Sequence, residues 1–231
     1  MIISNKKLTV IITFLNEKED VKNTIESILE FSDDNVEIIV INDASDDNYD
    51  YDKLAVDYNI TYVKNKIRLG VAASRDLGVS ICKTAYFLLL DAHMRFYDNK
   101  WITRIVEELS KNTRRLLCTQ TKILKRKDDI VYVDKESDAL VRQGATVKLN
   151  GNILFEPKWL INENKNLGDG ALPIACVLGA GYACSKDYWI YLKGLSGLMY
   201  YGNDEAYISM KSLVRRRRMS FTSRYKNRTY L

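Results

Sequence analysis

The sequence predicts an α/β fold: a doubly wound, mostly parallel central sheet flanked by helices. Three observations predict it. Apolar, β-branched runs recur at residues 8–14, 36–41 and 86–90. They lack the strict alternation of a half-exposed strand, so they suit strands covered on both faces. Segments with apolar residues at helical spacing separate them. Polar clusters follow the runs, at 13–17, 42–46 and 91–93, and open α/β sheets bind ligands beyond the carboxyl ends of their strands.

Each element follows in order. Residues 8–14 (LTVIITF) form the first strand, and 20–31 a helix with Val21, Ile25, Ile28 and Leu29 on one face. Residues 36–41 (VEIIVI) form the second strand, which ends at Asn42 and Asp43. A short helix over 51–58 and a third strand over 60–63 follow. Gly70 opens a helix over 71–82. Residues 86–90 (YFLLL) form the fourth strand, ending at Asp91, and 99–111 a helix that turns Trp101, Ile102, Ile105 and Leu109 inward. Beyond Leu116 the pattern loosens. We expect a strand over 116–124 and a hairpin with arms 145–149 and 153–156 about Asn150-Gly151-Asn152. A polar, glycine-containing loop covers 162–170. Short apolar pieces follow at 175–178 and 182–184, then a helix capped by Ser185 and a last helix over 204–214. This half reads as a smaller α+β portion completing one domain, 1–214, with a basic tail at 215–231.

Charge and cysteine usage exclude several classes. The chain carries 35 Lys plus Arg against 30 Asp plus Glu, a net +5. Eight of those bases and no acid lie between 211 and 228, leaving 27 bases against 30 acids elsewhere. A uniformly basic DNA-coating protein is therefore not expected. The four cysteines, at 82, 118, 176 and 184, show no C-x-x-C spacing. They read as buried free thiols of a reducing compartment. The apolar run near the N-terminus is too short to cross a bilayer. A cytoplasmic protein is expected, with peripheral membrane contact through the tail left open.

Four constellations carry chemistry. Asp91-Ala92-His93 follows a buried strand, and alternate residues of an extended segment share a side. A carboxylate and an imidazole together suit a borderline divalent ion such as Mn²⁺. Asp43 can accept hydrogen bonds from a base or a ribose, although an Asx-rich turn would look the same. In the first cluster Phe14 or Leu15 can pack on a base, and Asn16 or Glu17 can bond it. Arg75 stands one turn inside the helix opened by Gly70, where a guanidinium suits diphosphate oxygens or a surface ion pair.

The ordered set VIITFLNE, EIIVINDASDD, NKIRLGVAASRDLG, YFLLLDAHMRF and GAGYACSKDYW…GLMYYGNDEAYIS resembles the glycosyltransferase A (GT-A) fold of family 2 nucleotide-sugar transferases. It covers roughly 6–214. The D-x-H form, with the trailing Trp101, is similar to that of the polypeptide N-acetylgalactosaminyltransferases. The resemblance implies nucleotide-sugar contacts at Thr13, Phe14, Asn16, Glu17, Asp43 and Arg75. It implies metal contacts at Asp91 and His93, with Asp91 also serving the donor. It places Gly179, Ala180 and Gly181 beside the sugar, and Asp204 and Glu205 as the catalytic acidic pair at the acceptor end. Asp204 is the first candidate to take the acceptor proton and Glu205 the second. The chain departs from the family in having Asn42-Asp43 rather than Asp-Asp, and only one histidine where D-x-H relatives use two.

The implied reaction is metal-dependent transfer, with Mn²⁺ or Mg²⁺, of a sugar from a nucleotide-sugar, a UDP-sugar foremost, to an acceptor hydroxyl. The acceptor is open between glycan, lipid, protein and modified DNA. In the DNA case residues 211–228 would contact phosphates; they equally suit an anionic membrane surface. A catalytically inactive nucleotide-sugar or glycan-binding module is the competing class. Both stereochemical outcomes, inversion and retention, remain open at this level.

Overall fold

The computed structural model describes residues 7–33, 35–127, 130–133, 140–148, 156–163, 171–199, 202–215 and 219–222. Its first half alternates strictly. The strands are β1 (Leu8–Phe14), β2 (Val36–Asn42), β3 (Thr61–Lys64) and β4 (Tyr86–Asp91). The helices between and after them are α1 (Glu19–Glu30), α2 (Lys53–Asp57), α3 (Val71–Ile81) and α4 (Trp101–Lys111). The second half adds β5 (Leu116–Cys118), β6 (Leu124–Lys127), β7 (Ile130–Val133), β8 (Leu140–Lys148), β9 (Glu156–Glu163), β10 (Ala171–Pro173) and β11 (Gly181–Ser185). It closes with α5 (Lys186–Leu192), α6 (Asp204–Val214) and β12 (Met219–Thr222).

The eight-stranded sheet runs β10-β12-β5-β11-β4-β1-β2-β3. Strands β4, β1, β2 and β3 are parallel, and β11 lies antiparallel between β4 and β5. The chain winds outward from β1 to β3, then returns through α3 to β4 on the other side of β1. The crevice at that switch is where such sheets bind ligands. The period-2 alternation sorts the strand residues into two cores. Val10 and Ile12 pack with α1 and α4; Ile11, with Ile39, Ile41 and Leu89, packs with α3, α5 and α6. Gly78 lets α3 lie close on the second face, since a Cβ there would stand 2.3 Å from Ile11 Cγ2.

The doubly wound, mostly parallel α/β sheet expected from the sequence is the one observed. Several of the later elements differ. The strand expected over 116–124 stops at Cys118, and Leu124–Lys127 pairs instead with β7 in a separate ribbon. The expected hairpin is β8–β9, with longer arms than the turn signal suggested; its Asn150-Gly151-Asn152 turn lies outside the described residues. Of the loop expected at 162–170, Asn162 and Glu163 belong to β9 and the rest is not described. Residues 175–178 make no strand beyond a bridge from Cys176 to Ala145. The sheet also continues past 214: β12 runs parallel to β5 and antiparallel to β10. The charge run around it hid that short strand. All four cysteines are free and buried, and no helix among the described residues is long and apolar enough to cross a membrane.

Candidate active site

Asp91 ends β4, and Thr13 of β1 is its neighbour across the parallel pair. Two helical side chains hold the segment that follows. Thr24 Oγ1 of α1 donates to the Ala92 carbonyl at 2.6 Å and accepts from Met94 N at 3.1 Å. Ser27 Oγ accepts from Phe96 N at 2.7 Å. Polar groups buried in a helix–sheet interface are held this way because each needs a partner there. The D-x-H turn is thereby fixed against α1.

On the other side Asp91 N donates to the Ala180 carbonyl at 3.1 Å, which sets the Gly179-Ala180-Gly181 segment against the end of β4. Gly181 leaves no room for a side chain, since a Cβ there would stand 2.7 Å from Thr119 Oγ1, and a Cβ on Gly179 would stand 3.3 Å from the Glu205 carboxylate.

Arg75 is the centre of this edge. It is 2% exposed. One terminal nitrogen bonds the Asp204 carboxylate; the other bonds Asp91 Oδ1 and the Gly179 carbonyl, each at 2.9 Å. Tyr182 lies beneath, its ring centroid 5.5 Å from the guanidinium and its hydroxyl 3.3 Å from Asp204. One buried cation thus joins the end of β4 to the start of α6. Burial alone would lower the pKa of Arg75, but the charges of Asp204 and Asp91 outweigh that, so it stays protonated. Glu205, beside this pair, is only partly buried. Burial first, and the charge of Asp204 second, push its carboxyl up to about 7.

His93 Nδ1 lies 3.3 Å from Glu17 Oε2. The hydrogen bond to Glu17 raises the His93 pKa, so Glu17 favours the imidazolium. Glu17 therefore meets the D-x-H motif. No three carboxylate, imidazole or thiol side chains cluster as a ready metal cage among the described residues. Asp91 and His93 supply one oxygen-type and one nitrogen-type donor, which fits an octahedral ion that keeps waters and borrows phosphate oxygens.

The remaining predicted residues form a second group at the ends of β1 and β2. Asn16 exchanges hydrogen bonds with Asp46, at 2.7 and 2.9 Å, and its backbone N–H reaches Ser45 Oγ at 3.0 Å. Phe14 is buried, with its ring 4.7 Å from that of Tyr51. Thr13 Oγ1 is buried and has no hydrogen-bond partner among the described residues. Asp43 accepts from Leu69 N, Gly70 N and Asn65 at 2.8 Å, and from Ser74 at 3.1 Å. Burial would raise its pKa, but these four donors together hold it below the usual carboxylate range. Asp43 thus clamps the loop that opens α3 and so orients Arg75.

The structure joins Arg75, Asp91, Asp204, Glu205 and the Gly179–Gly181 segment at one edge, with His93 and Glu17 beside Asp91. Thr13, Phe14, Asn16 and Asp43 lie toward β2. Tyr182 was not singled out in the sequence, since an apolar strand gives no sign of which tyrosine meets an acid. Of the basic run, Lys211 and Arg215 are described. Lys211 Nζ bonds the Gly194 carbonyl at 2.7 Å, and Arg215 lies 4.6 Å from the Tyr191 ring centroid. Both therefore serve packing of the last helices.

A doubly wound, mostly parallel sheet whose switch-point strand ends on Asp91, joined through Arg75 to Asp204 at the start of α6, has the architecture of the GT-A fold. The chain belongs to glycosyl transferase family 2, whose family model matches residues 9–169. A UDP-Glc:α-D-GlcNAc-diphosphoundecaprenol β-1,3-glucosyltransferase of Escherichia coli is 33% identical over 97 residues, 42% of this chain and 37% of that protein. Human polypeptide N-acetylgalactosaminyltransferase 14 is 26% identical over 133 residues, 56% of this chain and 24% of that protein. The chain thus spans between about a quarter and two fifths of these curated relatives. Among solved structures, GalNAc-T7 with UDP, GalNAc and Mn²⁺ superposes with a TM-score of 0.76 at 17% identity, over 95% of this chain and 43% of that one. Staphylococcus aureus TarS 1–349 gives 0.60 at 14% identity, over 97% of this chain and 60% of that one.

Proposed function

We propose that the chain transfers a sugar from a UDP-sugar to an acceptor hydroxyl, with a divalent ion, Mn²⁺ or Mg²⁺, at Asp91 and His93. One observation carries the reading. A single buried Arg75 holds Asp91 and Asp204 together, so the donor-side acid and the acceptor-side acidic pair share one rigid edge. The UDP and Mn²⁺ bound by GalNAc-T7 and the UDP-Glc used by the E. coli relative support the donor and the ion.

The nucleoside lies over the ends of β1 and β2, where Asp43 and Asn16 fix the loops that would meet the base and ribose. The ion would supply charge stabilisation to the departing diphosphate. Asp91 and His93 would hold it, with Glu17 orienting the imidazole as an outer partner. Gly179 and Ala180 let the sugar approach the backbone closely. Asp204 is committed to Arg75 and Tyr182. Glu205 is the partly exposed member of the pair, and a carboxyl titrating near neutrality is well placed as general base. We therefore assign the proton transfer to Glu205 and Asp204 to positioning, with inversion at the anomeric carbon as the consequence.

A thermal-shift panel of UDP, UDP-sugars and other nucleotides, with and without Mn²⁺, tests the donor. UDP compounds are expected to raise the melting temperature by mass action, more so with the ion. No shift with any UDP compound would overturn the proposal. The anomeric configuration of the product decides between inversion and retention.

A further inference from the structure

We propose that the exposed face formed by α5 and the end of α6 is a docking surface for an anionic lipid bilayer. Ile190 of α5 is 62% exposed and Val214 of α6 75%, with Tyr191 and Leu213 exposed beside them. Single exposed apolar residues are ordinary, whereas a contiguous group marks an interaction surface. These are contiguous. The Tyr188 hydroxyl shares a hydrogen bond with Ser212 at 2.9 Å, which fixes α5 against the last turn of α6. Arg215, next in sequence to Val214, lies 4.6 Å from the Tyr191 ring centroid.

The charge around this group selects the partner. Arg114, between α4 and β5, lies 5.7 Å from the centroid of the same ring, so Tyr191 carries a guanidinium from each of two elements. Neither arginine has a carboxylate partner among the described residues. Glu108 is close in sequence to Arg114 but is paired with Lys111 and Arg115. Asp187 is the one acid of α5, set against the two arginines and a stretch, 211–228, that holds eight bases and no acid. A guanidinium lying along an aromatic ring keeps its charge in water while the ring and its neighbours enter an apolar phase. An anionic bilayer satisfies both halves of such a face: its headgroup phosphates meet the bases, and its acyl boundary receives the aliphatic side chains. A polynucleotide would meet the arginines through its phosphates but leave Ile190, Leu213 and Val214 in water.

The fold keeps this face apart from the catalytic edge. Helix α6 begins at Asp204, which holds Arg75, and ends at Val214, about 15 Å away along the helix axis. Substitutions at its far end therefore leave the catalytic edge untouched. Neither signal on the face suffices alone. A few aliphatic side chains bind a bilayer weakly, and each base near an anionic surface strengthens binding by roughly fivefold. Stable attachment takes both together. The inference stands independently of the transferase reading, since it uses none of the catalytic residues.

Sedimentation of the full chain with sucrose-loaded vesicles tests it. Phosphatidylcholine alone is compared with phosphatidylcholine carrying about a third phosphatidylglycerol. Binding to the anionic vesicles is expected to be at least about tenfold stronger and to fall as salt is raised. Ile190→Ser/Val214→Ser keeps every charge and is expected to weaken binding to the anionic vesicles by at least about tenfold. Arg114→Gln/Arg215→Gln is expected to weaken it by at least about fivefold. All four positions are exposed, so both variants should melt with the wild-type protein, which shows that they fold. Equal binding to the two vesicle types, or undiminished binding of the serine variant, would overturn the inference. So would duplex DNA that displaces the vesicles and binds wild type and serine variant equally, which would assign the bases to a polynucleotide. A wild-type dimer that the serine variant loses would overturn it too, by assigning the face to a second copy of the chain.

Discussion

Replacing Glu205 by glutamine isolates a carboxyl that its surroundings hold near neutrality. Burial, then the charge of Asp204, raise its pKa from 4.5 to about 7. A carboxyl raised in the folded state keeps a proton that the unfolded chain has already lost. The native state therefore loses stability as pH rises from the unfolded value through the folded one, and the loss is complete above it. At about 1.4 kcal/mol per unit the full effect is about 3 kcal/mol, and partial solvent access reduces the expectation to about 2 kcal/mol. Glutamine keeps the shape and carries no charge, so it escapes the penalty. Urea unfolding of both proteins at about pH 5 and about pH 8 reads this directly, and the variant should gain about 2 kcal/mol on the wild type between them. The same substitution should lower transfer by about 10²–10⁴-fold. A stability difference that stays flat with pH would refute the reasoning, because Glu205 would then be ionised in the fold throughout.

Other perturbations separate positioning from packing. Arg75→Met leaves Asp91 and Asp204 facing each other without their cation and should cost about 3–5 kcal/mol in chemical denaturation; an unchanged midpoint would mean that the acids are solvated. Gly78→Ala forces a methyl against Ile11 and should cost about 1–3 kcal/mol, with wild-type stability showing that α3 sits further from β1. Asp43 contributes stability above the ordinary carboxylate pKa that is lost as pH falls through its lower folded value, so Asp43→Asn should flatten the acid limb of the stability profile. A variant that kept the wild-type limb would count against the clamp. Chelation of divalent ions should abolish transfer while leaving the melting temperature of the unliganded protein unchanged.

The parallel half of the sheet was legible because β1, β2 and β4 are buried on both faces, which writes a continuous apolar run into the sequence, whereas edge strand β3 is partly exposed. The polar residues at the ends of those strands were legible for the same reason, as the first interruption of each run. The second half follows other rules. Three-residue strands such as β5 and β10 carry too few positions for any period, and β12 sits inside a charge run. Glycine turns mark where the β8–β9 hairpin reverses but not how far its arms extend. The site divides in the same way. Asp91 and His93 are local, and spacing alone pairs them. The bond from Arg75 to Asp204 joins residues 129 apart in the chain, and only the fold brings them together.

The commitment of Arg75 changes what the site asks of its ion. From sequence, that guanidinium was a candidate for the diphosphate. In the fold both of its terminal nitrogens are spent on Asp91, Asp204 and the Gly179 carbonyl. One cation thus faces three carboxyls at this edge, and Glu205 relieves that imbalance only while it keeps its proton. A diphosphate approaching Asp91 would meet carboxylates that Arg75 alone does not neutralise, and like charges at short range in a partly desolvated site repel strongly. Diphosphate affinity should therefore depend steeply on a divalent ion, and more steeply above about pH 7, where Glu205 ionises. Titrating UDP at several Mn²⁺ concentrations on either side of that pH checks the argument. Equal UDP affinity with and without the ion would show that some other base, not the ion, meets the diphosphate.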